Sequence, residues 1–218
     1  MTMPTYLDLK FDTAETALIA VHSVGGALDW SCKGIRPIRK KVRNLHRLNQ
    51  GDMCCYCRKQ FHQDHDLAVD VEHILPQSSF PDQVLEPVNL SVACKRCNMG
   101  IKGCDYSFVH GALPAQVVKG IFRASQYEII HPNLDCYSAH IAVLSVRVTG
   151  VSFHRYKVLR KSAKGQETVE YFRLRDLEIE QLDAAQGIRG VTQRLRAVAI
   201  NAILRLSQGL APSTHSRG

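Results

Sequence analysis

The stretch that decides the fold runs from residue 54 to residue 103. It reads CCYC at 54–57, VEHILP at 71–76, NL at 89–90 and CKRCNMGIKG at 94–103. Zinc held by four thiolates needs its ligands paired on tight turns, so that four sulfurs converge tetrahedrally at ~2.3 Å from the ion. Cys54 and Cys57 supply one pair, and Cys94 and Cys97 the other. The 36 residues between the pairs exceed ordinary finger spacing, so the metal clasps a sizeable insert. That insert carries Glu72, His73 and Asn89. With no fifth ligand implied, the zinc is structural.

The bulk properties narrow the setting. The chain has 218 residues, of which 45% are hydrophobic, enough for one well-packed domain or a small module with additions. Its net charge of +8 attracts polyanions. No apolar run reaches the ~18 residues that a membrane helix needs. The first residues carry acids where an export signal would carry bases, which places the protein in the cytoplasm, with no membrane partner. Thiols stay reduced there, so the paired cysteines read as metal ligands rather than disulfides. Cys32, Cys55, Cys104 and Cys136 have no ligand spacing, and Cys55 reads as a small buried apolar residue.

A second site lies inside the clasp. Hydrolysis of a phosphodiester needs a base for the attacking water and positive charge for the phosphate and the leaving oxygen. A neutral imidazole supplies the first and a divalent ion the second. His73 next to Glu72 fits that division. Adjacent side chains of a strand face opposite ways, so both can serve only if the strand ends there, as Pro76 suggests. Asn98 follows Cys97 directly and can offer its amide oxygen to the ion that Glu72 binds. Lys102, one helical turn on, is placed to hold a phosphate oxygen.

The string Glu-His-x-x-Pro, then Asn, then CxxC-Asn-x-x-x-Lys resembles the HNH endonuclease family over residues 54–103. The resemblance implies an α+β fold with a ββα-metal core and a four-cysteine zinc knuckle. It makes His73 the general base, has Glu72 and Asn98 hold a catalytic Mg²⁺ or Mn²⁺, and has Asn89 brace the loop that orients His73. Glu72 stands where Asp is commoner, which lengthens the reach to the metal, and Asn98 stands where His is frequent, which favours Mg²⁺ over softer ions. A looser resemblance, in residues 129–141 and the segments after them, is to a bacterial HNH subgroup of phage defence, including the subunit that partners an ATPase in Septu systems and some retrons. It implies an ATPase partner. His131, Asp135 and His140 then become possible additions to the site, against the plainer reading that they cap turns.

Around this core the chain divides into residues 1–50, 51–110, 111–210 and a tail at 211–218 expected to be disordered. A helix is expected at 14–24, ended by Gly25 and Gly26. A second follows from Pro37, with Ile38, Val42, Leu45 and Leu48 as its apolar stripe. Arg39, Lys40, Arg43 and Arg47 cluster on its other face. They read either as a solvated face or as a nucleic-acid-binding one. Short strands are expected at 67–75 and 90–93, and a helix at 114–126. Strands at 142–149, 152–160 and 168–174 would make a small sheet, with residues 161–167 as a turn. From Asp176 the chain turns helical, ending in a helix striped by Val191, Leu195, Val198, Ala202 and Leu206. DNA is the first substrate these features suggest. RNA, such as a tRNA, suits the same core, and a non-catalytic zinc module binding nucleic acid or protein is the alternative outside catalysis.

Overall fold

The computed structural model describes residues 9–24, 27–61, 69–111, 120–148 and 151–178. They fall into two compact units. The first holds the described residues up to Val143 together with Arg155–Arg175. The second includes Leu144–His154 and residues 176–178. Among the described residues no helix is long and apolar enough to cross a membrane.

The first unit is built on one antiparallel pair. Strand β3 (Val69–His73) lies against β4 (Leu90–Cys94), with Val69 opposite Cys94 and His73 opposite Leu90. Cross-strand partners share a face, and alternate residues change face. Val71 and Leu90 therefore join Ile35, Ile38, Val42, Val84 and Leu28 in one hydrophobic core. Asp70 and Glu72 point to the other side.

Three elements cover the core face. Helix α1 (Thr13–Val21) opens on a capping box in which Asp12 and Glu15 satisfy each other's backbone N–H groups. It ends earlier than the expected 24, because the chain turns into the short pair β1 (Ser23–Val24) and β2 (Ala27–Leu28). Gly25 and Gly26 lie outside the described residues. Helix α2 (Arg36–Asn49) begins with Pro37 in its first turn, as expected. Its buried positions are Ile38, Val42 and His46, spaced by four. Leu48 is 79% exposed, so the stripe runs through His46 rather than out to Leu48. The i, i+4 row outranked hydrophobicity in choosing the inward residue.

The knuckle side is less regular. A π-helical segment, Arg96–Lys102, follows β4 and stops at Gly103, whose φ of 52° favours glycine. Helix α3 (Tyr137–His140) leads into β5 (Ile141–Val148), which pairs with β6 (Val151–Val158). The expected third strand is helix α4 (Ala163–Tyr171) instead, and the expected turn is its first part. Ser162 caps it by accepting from Gly165 N at 3.0 Å. Gly165, Thr168, Val169 and Phe172 are buried at helical spacing. A Cβ on Gly165 would stand 2.8 Å from the His140 carbonyl oxygen, so this glycine marks a close approach rather than a turn. Of the expected 114–126 helix, residues 124–126 form a 3-10 turn, and residues 112–119 lie outside the description. Residues 174–178 are helical, and the expectations for 191–206 and the tail lie outside the described residues. In the second unit Ser145 Oγ meets His154 Nδ1 at 2.8 Å across the β5–β6 ribbon.

Candidate functional site

The cysteines converge as their spacing suggests. The sulfurs of Cys54, Cys57, Cys94 and Cys97 all lie within 4.8 Å of one another, and Cys57 Sγ is 3.8 Å from Cys94 Sγ. A tetrahedron with ~2.3 Å arms has edges of about 3.8 Å, so these donors fit zinc. Burial opposes ionisation of Cys54, yet hydrogen bonds from Cys55, Cys57, Cys94 and Cys97 outweigh it and bring its thiol well below the usual range. Two tyrosines fasten the knuckle from outside: Tyr137 donates to the Tyr56 carbonyl at 3.0 Å and Tyr156 to the Cys57 carbonyl at 2.6 Å. Arg96, between the cysteines of the second pair, donates to the carbonyls of Phe172 and Arg173, each at 2.9 Å.

At the other end of the strand pair, Asn89 closes the loop of residues 74–89. It accepts from Leu75 N at 2.7 Å and donates to the carbonyls of Leu75 and Gln83 at 3.2 and 2.9 Å. Asn133, unremarked in the sequence, donates to the carbonyls of Val88 and Leu90 on either side of Asn89. The loop so held brings the Val84 carbonyl to His73 Nε2 at 3.1 Å. A carbonyl only accepts, so Nε2 carries the proton and Nδ1 keeps its lone pair. Nδ1 has no hydrogen-bond partner among the described residues. Burial holds the imidazole down to about 4, against the Val84 hydrogen bond, so it is neutral near pH 7. Trp30 meets the His73 ring edge to face, with centroids 4.8 Å apart.

β3 ends at His73, and by alternation along the strand Glu72 and His73 still face opposite sides. Glu72 is fully buried. Its Oε1 takes a hydrogen bond from Tyr56 at 3.0 Å and pairs with Lys102 Nζ at 3.0 Å. Burial pushes its carboxyl up to about 7, with Lys102 and Tyr56 pulling the other way. Lys102 also donates to the carbonyls of His73 and Gly103 at 2.9 and 3.3 Å. Its ammonium is thus buried among protein acceptors instead of standing free for a phosphate. Three acceptors around one donor group outcompete an exposed position.

The donors expected for a divalent ion have oxygens to offer it. Glu72 Oε2 is buried and has no hydrogen-bond partner among the described residues. Such an oxygen is stabilised by a cation. Asn98 Nδ2 donates to Asp70 Oδ2 at 3.3 Å, which leaves its Oδ1 available. Hard oxygens of this kind are the donors that Mg²⁺ or Mn²⁺ takes. Among the described residues the only group of three or more His, Cys, Asp or Glu placed for a metal is the four-cysteine set of the knuckle.

The basic helix splits into two faces. Arg39 donates to the Trp30 carbonyl, and Arg47 pairs with Asp52 at 2.6 Å. Arg39, Arg43 and Arg47 are all half-buried, and Lys40 is exposed with Arg36 and Lys33. His131, Asp135 and His140 make a network of their own. His131 Nδ1 accepts from the backbone of Asn133 and Leu134, Asp135 pairs with Lys164 at 2.6 Å, and His140 meets Ser162 Oγ at 2.6 Å.

Two residues beside the site escaped sequence reasoning. Tyr56 sits inside the first CxxC, where an aromatic reads as packing. Trp30 lies in a segment without periodicity, and being the chain's single tryptophan was its only signal. No family profile matches the chain, and no solved structure matches it. Over 82 residues it is 30% identical to the protein ea31 of Escherichia phage lambda, which is 37% of this chain and 26% of that protein. Over 125 residues it is 27% identical to the Septu protein PtuB of Bacillus thuringiensis, 57% of this chain. The chain spans 37% of the length of PtuB, so the likeness is to a part of that protein.

Proposed function

We propose that the chain is a metal-dependent endonuclease of the HNH kind, hydrolysing phosphodiesters of DNA, with His73 as general base. The observation that carries this reading is the His73–Val84 hydrogen bond. It fixes the tautomer, so Nδ1 is the nitrogen that takes a proton from water. Asn89 acts through the loop, keeping the Val84 carbonyl where it orients the ring. An imidazole held near 4 is a weak base, and an incoming phosphate anion raises its affinity for the proton. Glu72 Oε2 and Asn98 Oδ1 would hold Mg²⁺ or Mn²⁺, which would supply positive charge for the phosphate and the leaving oxygen; with Glu72 and His73 on opposite faces, this requires the carboxylate to turn from Lys102 around the end of β3. Lys102 offsets part of the Glu72 charge and ties the helical segment to the end of β3.

The likeness to Septu protein PtuB supports a role in anti-phage defence. There the nuclease would work with an ATPase partner, as the resembling subgroup does. The buried Glu72–Lys102 pair favours a second reading, in which Glu72 is structural and the zinc module binds without cutting. One assay separates the two. Purified protein, with and without an ATPase encoded beside it, is incubated with plasmid DNA and with total RNA in Mg²⁺, Mn²⁺ or EDTA. Nicked plasmid that His73→Ala fails to produce supports the proposal, and discrete RNA fragments shift the substrate to RNA. Cleavage unchanged in His73→Ala would refute His73 as the base.

A further inference from the structure

Trp30 is held in place from two sides. Its carbonyl accepts from Arg39, and its ring stands edge to face on His73 with centroids 4.8 Å apart. The residue packs against the core and is only half-buried, and its ring lies beside the imidazole. Cationic side chains follow it in the chain. Lys33, Arg36 and Lys40 are exposed at spacings of three and four, one face of the turn and helix that begin there, and among the described residues none has an ion-pair partner. A fixed aromatic followed in the chain by a line of exposed cations is a combination that holds single strands, the cations tracking phosphates and the ring receiving a base.

We infer that Trp30 is a stacking platform for an unpaired nucleobase next to the scissile phosphate, so that the substrate is single-stranded or locally opened nucleic acid. This rests on the placement of the phosphodiester at His73. A base one nucleotide from a phosphate at His73 comes within reach of a ring that touches His73. Inside an intact duplex both faces of a base are already stacked, so the platform discriminates against it. Because Arg39 ties the Trp30 backbone and His73 packs against its ring, a base that lands on it orders little else. Lys33, Arg36 and Lys40 supply the sequence-independent part of the affinity.

Trp30 is the chain's only tryptophan, so its emission reports the contact directly. The zinc-loaded protein, with no other divalent ion added, is titrated with fluorescein-labelled oligothymidylate, oligouridylate and a duplex of equal length. Anisotropy gives binding and tryptophan emission gives stacking. Saturable quenching by the single strands, weaker or absent with the duplex, is the expected result. Trp30→Phe should keep most of the affinity, and Trp30→Ala should lose roughly ten- to hundredfold. Circular dichroism confirms that both variants fold, and Lys40→Glu, which leaves the ring itself in place, should weaken binding without changing the quench at saturation. Single strands that bind with unchanged emission, duplex that quenches equally, or no binding of any strand would overturn the inference. Quenching without any cleavage once Mg²⁺ is added would leave the platform standing and refute the nuclease reading alone.

Discussion

His73 and Asn89 divide the work of one small geometry. His73 carries the lone pair, and Asn89 sets the loop whose carbonyl decides which nitrogen carries it. Their loss should therefore look different. His73→Ala should cut cleavage by about 10²–10⁴-fold at a smaller cost in stability, since one hydrogen bond, to the Val84 carbonyl, is lost. Asn89→Ala strands a buried Leu75 N–H and two carbonyls, and should cost about 2–3 kcal/mol in urea titration as well as activity. A His73→Ala protein that cuts at the normal rate, or an Asn89→Ala protein as stable as the parent, would break this division.

Among the elements, the zinc knuckle organises more than its own turn. Tyr137, Tyr156 and Arg96 connect it to α3, β6 and the end of α4. Replacing Cys57 with Ser, or stripping zinc with a strong chelator, should raise amide hydrogen exchange across Ala163–Tyr171 as well as around Cys54. Protection of α4 unaltered by zinc loss would show the connections to be passive. The pairs of cysteines, the strands beside them and Pro37 were legible because each has a local rule: ligand spacing, alternation, a fixed φ. Helix α4 was not, because Thr168, Val169, Tyr171 and Phe172 favour strands by type, and only their inward spacing with Gly165 gives the helix away. Glu72 stood out beside His73 in the sequence, but its pairing with Lys102 and Tyr56 arises from three separate segments, which no local pattern encodes. The same holds for Trp30.

The molecule as a whole carries buried imidazoles that penalise acid. His46 has neither ring nitrogen hydrogen-bonded among the described residues, and burial lowers it to about 4. Burial, then Lys164, lower His131 to about 3. Unfolded, each takes its proton near 6.5. Between these values the unfolded chain binds more protons, so stability falls as pH drops below about 6.5. Glu72 acts oppositely: its contribution is full below its unfolded value and fades as pH rises to about 7. The histidines outnumber it, so the protein should be less stable at pH 5 than at pH 7.5. His46→Leu should shrink that difference by about 2 kcal/mol, measured by urea titration at both values. An equal difference in the variant would mean His46 is protonated inside the fold.

The knuckle's outside attachments also set an order in time. Tyr156 and Arg96 join residues 99 and 76 positions apart, whereas the two cysteine pairs stand on either side of one strand pair. Closing the longer loops is entropically later. A growing chain can thus take up zinc and form its strand pair before residues 156–173 exist to brace it. For that interval the knuckle has Tyr137 beside it but neither Tyr156 nor the carbonyl partners of Arg96.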